Sequence, residues 1–103
     1  MKRKADKVLL RPGDRIRGLL REHNLSQEVF ADWIGVSRLT INQIINHHRG
    51  LTADVALRIA AATLTTPDEW LDLQQRVDLN EARQRLGREI DKIAPLPKLR
   101  RRK

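Results

Sequence analysis

Counted from Gln27, the chain places Ala31 fifth, Gly35 ninth, Ile41 fifteenth and Ile44 eighteenth. No other feature narrows the fold so much, because each offset answers a separate steric demand of a helix-turn-helix. A small residue, Ala31, lets the second helix approach the first. Gly35 supplies the bend between them. Ile41 and Ile44 anchor the second helix and leave its other face free for a DNA groove.

The flanking sequence extends this pair into an all-α domain of five helices. Pro12, Gly13 and Asp14 open the first, with the Asp14 carboxylate near the positive end of the helix dipole. Ile16, Leu19 and Leu20 line its apolar face, and Asn24 is a left-handed stop after which Leu25 packs back. Ser26 caps the second helix, where Val29, Phe30, Ala31 and Ile34 are expected to face the core. Ser37 caps a third helix reaching about Asn46, with Ile41, Ile44 and Ile45 buried. Thr52 caps a fourth, expected to bury Val55, Ala56, Leu57, Ile59 and Ala60. Thr66, Pro67, Asp68 and Glu69 start a fifth, with Trp70, Leu73, Val77 and Leu86 along one side. Gly87 loosens that pattern, and Ile90 and Ile93 extend it by a turn or two. No β-type alternation occurs.

A chain of 103 residues holds one small domain, and with only 3% aromatic residues its core must be aliphatic. The absence of cysteine excludes disulfides, thiolate metal sites and a cysteine nucleophile. No apolar run reaches membrane length and no signal-peptide core follows the basic start, so a cytoplasmic protein with no membrane partner is expected. The net charge of +8 is unevenly spread. Residues 1–10 have four basic side chains against one acid, and residues 88–103 have seven against two. The middle, residues 11–87, has ten of each sign. The chain therefore divides into a basic arm (1–10), a helix-turn-helix domain (11–87) and a basic tail (88–103). Both arms read as flexible, and they either contact nucleic acid or serve as solvated tails.

The third helix carries a set of side chains suited to reading DNA. Arg38 can bond a guanine edge twice or clamp a phosphate, and the amides of Asn42 and Gln43 match adenine. Leu39 and Thr40 can touch a thymine methyl. Phosphate anchors are expected around them. Gln27 sits at the first turn of its helix, Ser37 acts as cap and phosphate contact or as cap alone, and Asn46, His47 and Arg49 follow the reading helix. His47 and His48 are adjacent and His23 lies elsewhere, so no metal-ligand spacing exists. Ser26 and Ser37 have capping roles, no catalytic trio is suggested, and no cofactor is expected. Trp33 either packs partly against the first helix or belongs to a partner surface. Trp70 is expected in the core. Leu71, Leu79, Ala82 and Leu86 form a candidate dimer seam on the fifth helix.

Residues 25–45 resemble the Xre-type, lambda-repressor-like helix-turn-helix. Residues 41–59 resemble a run frequent in HigA-type antitoxins, Asn-Gly-Lys-Arg-Gly-Ile-Thr-Ala-Asp-Thr-Ala-Leu-Arg-Leu. Residues 69–79 resemble their Phe-Trp-Leu-Asn-Leu-Gln…Tyr-Asp-Leu segment, and the resemblance covers residues 11–80 or so. It implies a lambda-repressor-like fold and a homodimer that represses its own operon at a palindromic operator. It also implies direct neutralisation of a HigB-like, mRNA-cleaving toxin of the RelE superfamily, and no catalysis by the chain itself. His47 stands where this family usually has glycine, so either it accepts a left-handed conformation or the turn differs. Val77 replaces a tyrosine, and the two arms lie beyond the common pattern. Two other readings are a stand-alone Xre-type repressor without a toxin and a protein-binding adaptor with a vestigial motif. The polar set on the third helix argues against the adaptor, and residues 69–79 favour the antitoxin.

Overall fold

The computed structural model describes residues 9–99, so most of the expected N-terminal arm (1–8) and the end of the tail (100–103) lie outside the described residues. Five α-helices follow one another: α1 (Pro12–Glu22), α2 (Gln27–Ile34), α3 (Arg38–Ile45), α4 (Ala53–Thr63) and α5 (Pro67–Leu86). Two short 3-10 helices, Gly87–Lys92 and Pro97–Leu99, complete the described chain, which contains no strand among those residues. The turns expected from Ile90 and Ile93 thus form, but tightened, and both side chains remain exposed.

Local chemistry accounts for the helix ends. The hydroxyls of Ser26, Ser37, Thr52 and Thr66 accept from the backbone N–H three residues on, satisfying donors that the first turn leaves orphaned. Glu69 closes the reciprocal contact by accepting from the Thr66 N–H at 3.0 Å. That bond, with help from Arg15, holds the Glu69 carboxyl below the usual carboxylate range. Asp14 does the same service for α1, accepting from the Arg11 N–H at 3.0 Å. Asn24 is left-handed as its sequence position requires, and Leu25 N–H reaches back to Leu20 O at 2.8 Å.

The core is shared by all five helices. Ile16 and Leu20 of α1, Phe30, Ala31 and Ile34 of α2, and Ile41, Ile44 and Ile45 of α3 meet Val55, Ala56, Ile59 and Ala60 of α4 and Trp70 of α5. Helix α3 packs on α1 and α2, while α5 lies on α1 and α4. Leu86, expected along the Trp70 side of α5, lies sixteen residues on at ~160° around the helix and is exposed, and two expected core positions are also outside the core. Val29 is 47% and Leu57 58% exposed. At ~100° per residue, Val29 lies roughly 150° from the centre of the Phe30–Ala31–Ile34 face, and Leu57 is similarly displaced on α4. Both residues flank apolar neighbours in sequence without sharing their face.

Gly13 sets the distance between α1 and α3. A β-carbon there would lie 2.2 Å from Ile44 O and 2.8 Å from Ile45 Cα, both backbone atoms that cannot rotate away. Gly13→Ala is expected to push α1 off the end of α3 and to cost ~3 kcal/mol of stability, the upper end for overpacking. Chemical denaturation of the purified variant measures this, and an unchanged midpoint would show that the two helices separate freely.

Candidate nucleic-acid interface

The candidate reading face is on α3, which buries one side completely and leaves the rest accessible. Ile41, Ile44 and Ile45 are at most 2% exposed. Leu39 and Gln43 lie on the opposite side, Thr40 and Asn42 flank it and Arg38 projects from the first turn; Arg38, Leu39 and Asn42 are exposed, and Thr40 and Gln43 are half-buried. The structure therefore brings all five expected base-reading residues onto one short helix. Ser37 caps it through Thr40 N–H at 3.0 Å, and the two hydroxyls lie 2.8 Å apart. Gly35 makes the preceding bend at φ 79°, where a left-handed backbone favours glycine.

Residues outside α3 hold its reading groups. Gln27, at the start of α2, accepts from Asn42 Nδ2 at 3.1 Å. Arg49, beyond the end of α3, donates from Nε to Gln43 Oε1 at 2.9 Å. Asn46 donates from Nδ2 to the Asn42 carbonyl at 3.0 Å, capping the helix end. Three expected phosphate anchors, Gln27, Asn46 and Arg49, are thus bonded to the reading helix itself. Arg38 and Glu28 approach only to 3.9 Å with both side chains well exposed, a pair of little energetic weight.

His47 adopts the left-handed conformation, φ 65°. The turn is thereby kept without glycine: His48 N–H returns to Gln43 O at 2.8 Å, and His47 Nε2 lies 3.4 Å from Asp14 Oδ1. The same carboxylate caps α1 and meets the residue that ends the reading helix.

Three positioning residues carry no local sequence signal. Arg58 of α4 donates from Nη1 to the Ile34 carbonyl at 2.9 Å and approaches Gly35 O at 3.3 Å, fixing the turn of the motif. Gln74 of α5 accepts from Leu51 N–H at 2.7 Å and so ties down the loop after α3. Arg17 reaches the Ile45 carbonyl at 3.4 Å. Each acts across 23 to 28 residues of chain, which spacing within a motif cannot reveal.

A second surface is apolar. Trp33 is 78% exposed, so it does not pack against α1 in the partly buried way its position allowed. With Leu19, Leu25, Phe30 and Leu64 it borders a groove of about 490 Å³. Leu64 closes α4 in the left-handed region, φ 58°, and is 95% exposed. A fully exposed leucine in that conformation is held at a cost of about 1–2 kcal/mol. On α5, Leu79 and Leu86 are exposed and Ala82 is half-buried, whereas Leu71 leans on the domain's own core. Among the described residues no group of His, Asp and Glu is arranged to hold a metal ion, and no helix is long and apolar enough to cross a membrane.

This arrangement has known counterparts. The helix-turn-helix family model HTH_3 matches residues 16–70. Antitoxin HigA-1 of Vibrio cholerae is 38% identical over 77 residues, covering 75% of this chain and 72% of that protein. Antitoxin GraA superposes with a TM-score of 0.79 at 36% identity, covering 85% of this chain and 97% of that one. Pseudomonas aeruginosa antitoxin HigA, solved with the higBA promoter, superposes with a TM-score of 0.81 at 32% identity, over 86% and 99% of the two chains.

Proposed function

Because the chain belongs to the helix-turn-helix family, and within it to the HigA-type antitoxins of the Xre class, we propose that it represses its own operon and neutralises a toxin by binding it. Its fold is the all-α, lambda-repressor-like fold of that family, and the protein is an antitoxin and a DNA-binding repressor rather than an enzyme. The finer reading is that a homodimer binds a palindromic operator while each copy can bind a HigB-like, mRNA-cleaving toxin of the RelE superfamily.

The observation that carries the DNA half is the polar, accessible surface of α3, with Gln27 holding the Asn42 amide and Arg49 the Gln43 amide. Two such helices related by a two-fold axis enter successive major grooves about 34 Å apart, so the operator is an inverted repeat. Arg38, Leu39, Thr40, Asn42 and Gln43 read bases; Gln27, Ser37, Asn46, His47 and Arg49 face phosphates. The P. aeruginosa antitoxin solved with promoter DNA supports the operator-binding reading as a whole. Helix α5 supplies the dimer seam. It is 20 residues long yet buries only Trp70 and Val77, and its outward stripe carries exposed Leu79 and Leu86 and half-buried Ala82. Leu71 contributes at the edge of that seam. Residues 11–87 form the working domain, and the basic segments on either side add charge for the DNA backbone.

The toxin half is supported by the Trp33–Leu64 groove. A large exposed tryptophan on an apolar groove has the character of a protein-binding hot spot, and the exposed Leu64 extends the apolar rim. Exposed acids adjoin it in sequence, Asp32 beside Trp33 and Glu22 beside His23, which also lines the groove. They suit a toxin that must itself be basic to hold RNA. The test is co-expression with the product of the neighbouring gene, followed by operator binding of the free chain and of the complex. Trp33→Ala is expected to weaken toxin binding by ~2 kcal/mol or more with operator affinity unchanged. Operator binding without any partner would reduce the assignment to a stand-alone repressor. A complex unaffected by Trp33→Ala would move the toxin face elsewhere.

A further inference from the structure

Arg49 lies outside the reading helix, yet its guanidinium is turned onto it. Its Nε donates to Gln43 Oε1 at 2.9 Å. An arginine can only donate, so the atom of the Gln43 amide that faces it must be the oxygen. The sense of this amide, ordinarily free to flip, is therefore dictated by a residue six positions further along the chain. The loop that carries Arg49 is itself fixed, by His48 N–H returning to Gln43 O at 2.8 Å and by Gln74 accepting from Leu51 N–H at 2.7 Å.

We propose that Arg49 is a specificity-determining positioning residue, which sets Gln43 to present its NH₂ group to the DNA. This inference rests on the operator-binding reading. An amide held in this sense offers donors to the groove. They match acceptor-bearing edges, above all the N7 and O6 atoms of guanine, and do not match the N4 donor of cytosine. Gln43 Oε1 keeps a second lone pair, but with the carbonyl turned toward Arg49 the two-bond pairing of a free glutamine with adenine is disfavoured at this position. The Nη groups of Arg49 stay available for a phosphate, so one side chain would couple the backbone contact to the base contact. A distortion that shifts the phosphate would then also release the amide.

The experiment is selection of duplexes from a randomised DNA library by the full chain, its Arg49→Ala and Gln43→Ala variants, and the double variant. A salt titration on the duplex selected by the unmodified chain accompanies it. Arg49 and Gln43 are both at the surface, and circular dichroism confirms that each variant is folded. The unmodified chain is expected to prefer guanine at one position of each half-site. Arg49→Ala is expected to relax that position roughly tenfold while sparing the others. In the Gln43→Ala background, removing Arg49 should change the base preferences no further, because its effect passes through the amide. A plain phosphate clamp behaves differently. It would weaken all sequences alike, lower the salt slope by about one and leave the preferences intact, which overturns the proposal. Cytosine at the Gln43 position overturns it as well. If the unmodified chain enriches no sequence, operator reading itself fails, an outcome distinct from either of these.

Discussion

Replacing both Asn42 and Gln43 with alanine is expected to abolish operator selectivity while the fold and toxin binding persist. A well-placed two-bond contact discriminates between bases by about 1–3 kcal/mol, and a dimer would make each contact twice. Losing two reading residues from each half-site therefore removes most of the margin between a specific site and random duplex. The fold should tolerate the change. Asn42 is exposed and Gln43 half-buried, their side-chain partners Gln27 and Arg49 are near the surface, and alanine is the best helix former. Gel-shift competition between the operator and a scrambled duplex measures the outcome. Retained selectivity would move base reading to Arg38, Leu39 and Thr40 alone.

The largest effect on stability is expected at Trp70. Its side chain is fully buried, its indole N–H donates to Thr65 Oγ1 at 2.8 Å, and the Arg15 guanidinium lies 4.4 Å from the ring centroid. Arg15 in turn bonds Glu69 at 3.0 Å, so one aromatic ring joins the start of α5 to the middle of α1. Trp70→Ala should cost about 3–5 kcal/mol, combining lost apolar transfer with the cavity left behind. A domain of this size is stable by roughly 5–15 kcal/mol, so much of the chain should be unfolded well below the parent's melting temperature. Trp70→Phe keeps most of the buried volume and should cost clearly less. Thermal denaturation of the three proteins distinguishes these outcomes. Equal melting temperatures would mean that α5 docks without its tryptophan.

The contrast between the two tryptophans shows where sequence reasoning reached its limit. Trp70 follows Thr66 and Pro67 at a fixed offset and shares a helical face with Val77, so periodicity alone places it in the core. Trp33 follows no such rule. Whether it packs on α1 or faces solvent depends on how the helices meet, and the structure leaves it 78% exposed. His47 presents the same kind of question. A histidine in a glycine position permits either a left-handed residue or a different turn, and local propensity does not choose. The structure keeps the turn, with the Asp14 carboxylate, 33 residues earlier in the chain, close to the imidazole.

The sequence by itself determined the five helices, the hydroxyl caps of four of them, the helix-turn-helix spacing and which side of α3 is buried. These follow from interactions within one or two turns: a hydroxyl meeting an N–H three residues on, or side chains recurring every 3.6 residues. Only the tertiary structure decided which amide of the reading helix is held by which neighbour, which apolar side chains stay outside the core, and how closely α1 lies on α3. Those outcomes depend on contacts between segments far apart in the chain, such as Gly13 against Ile44 and Arg58 against Ile34. Such pairings emerge only when the helices pack, because the space each side chain finds is shaped by all the others.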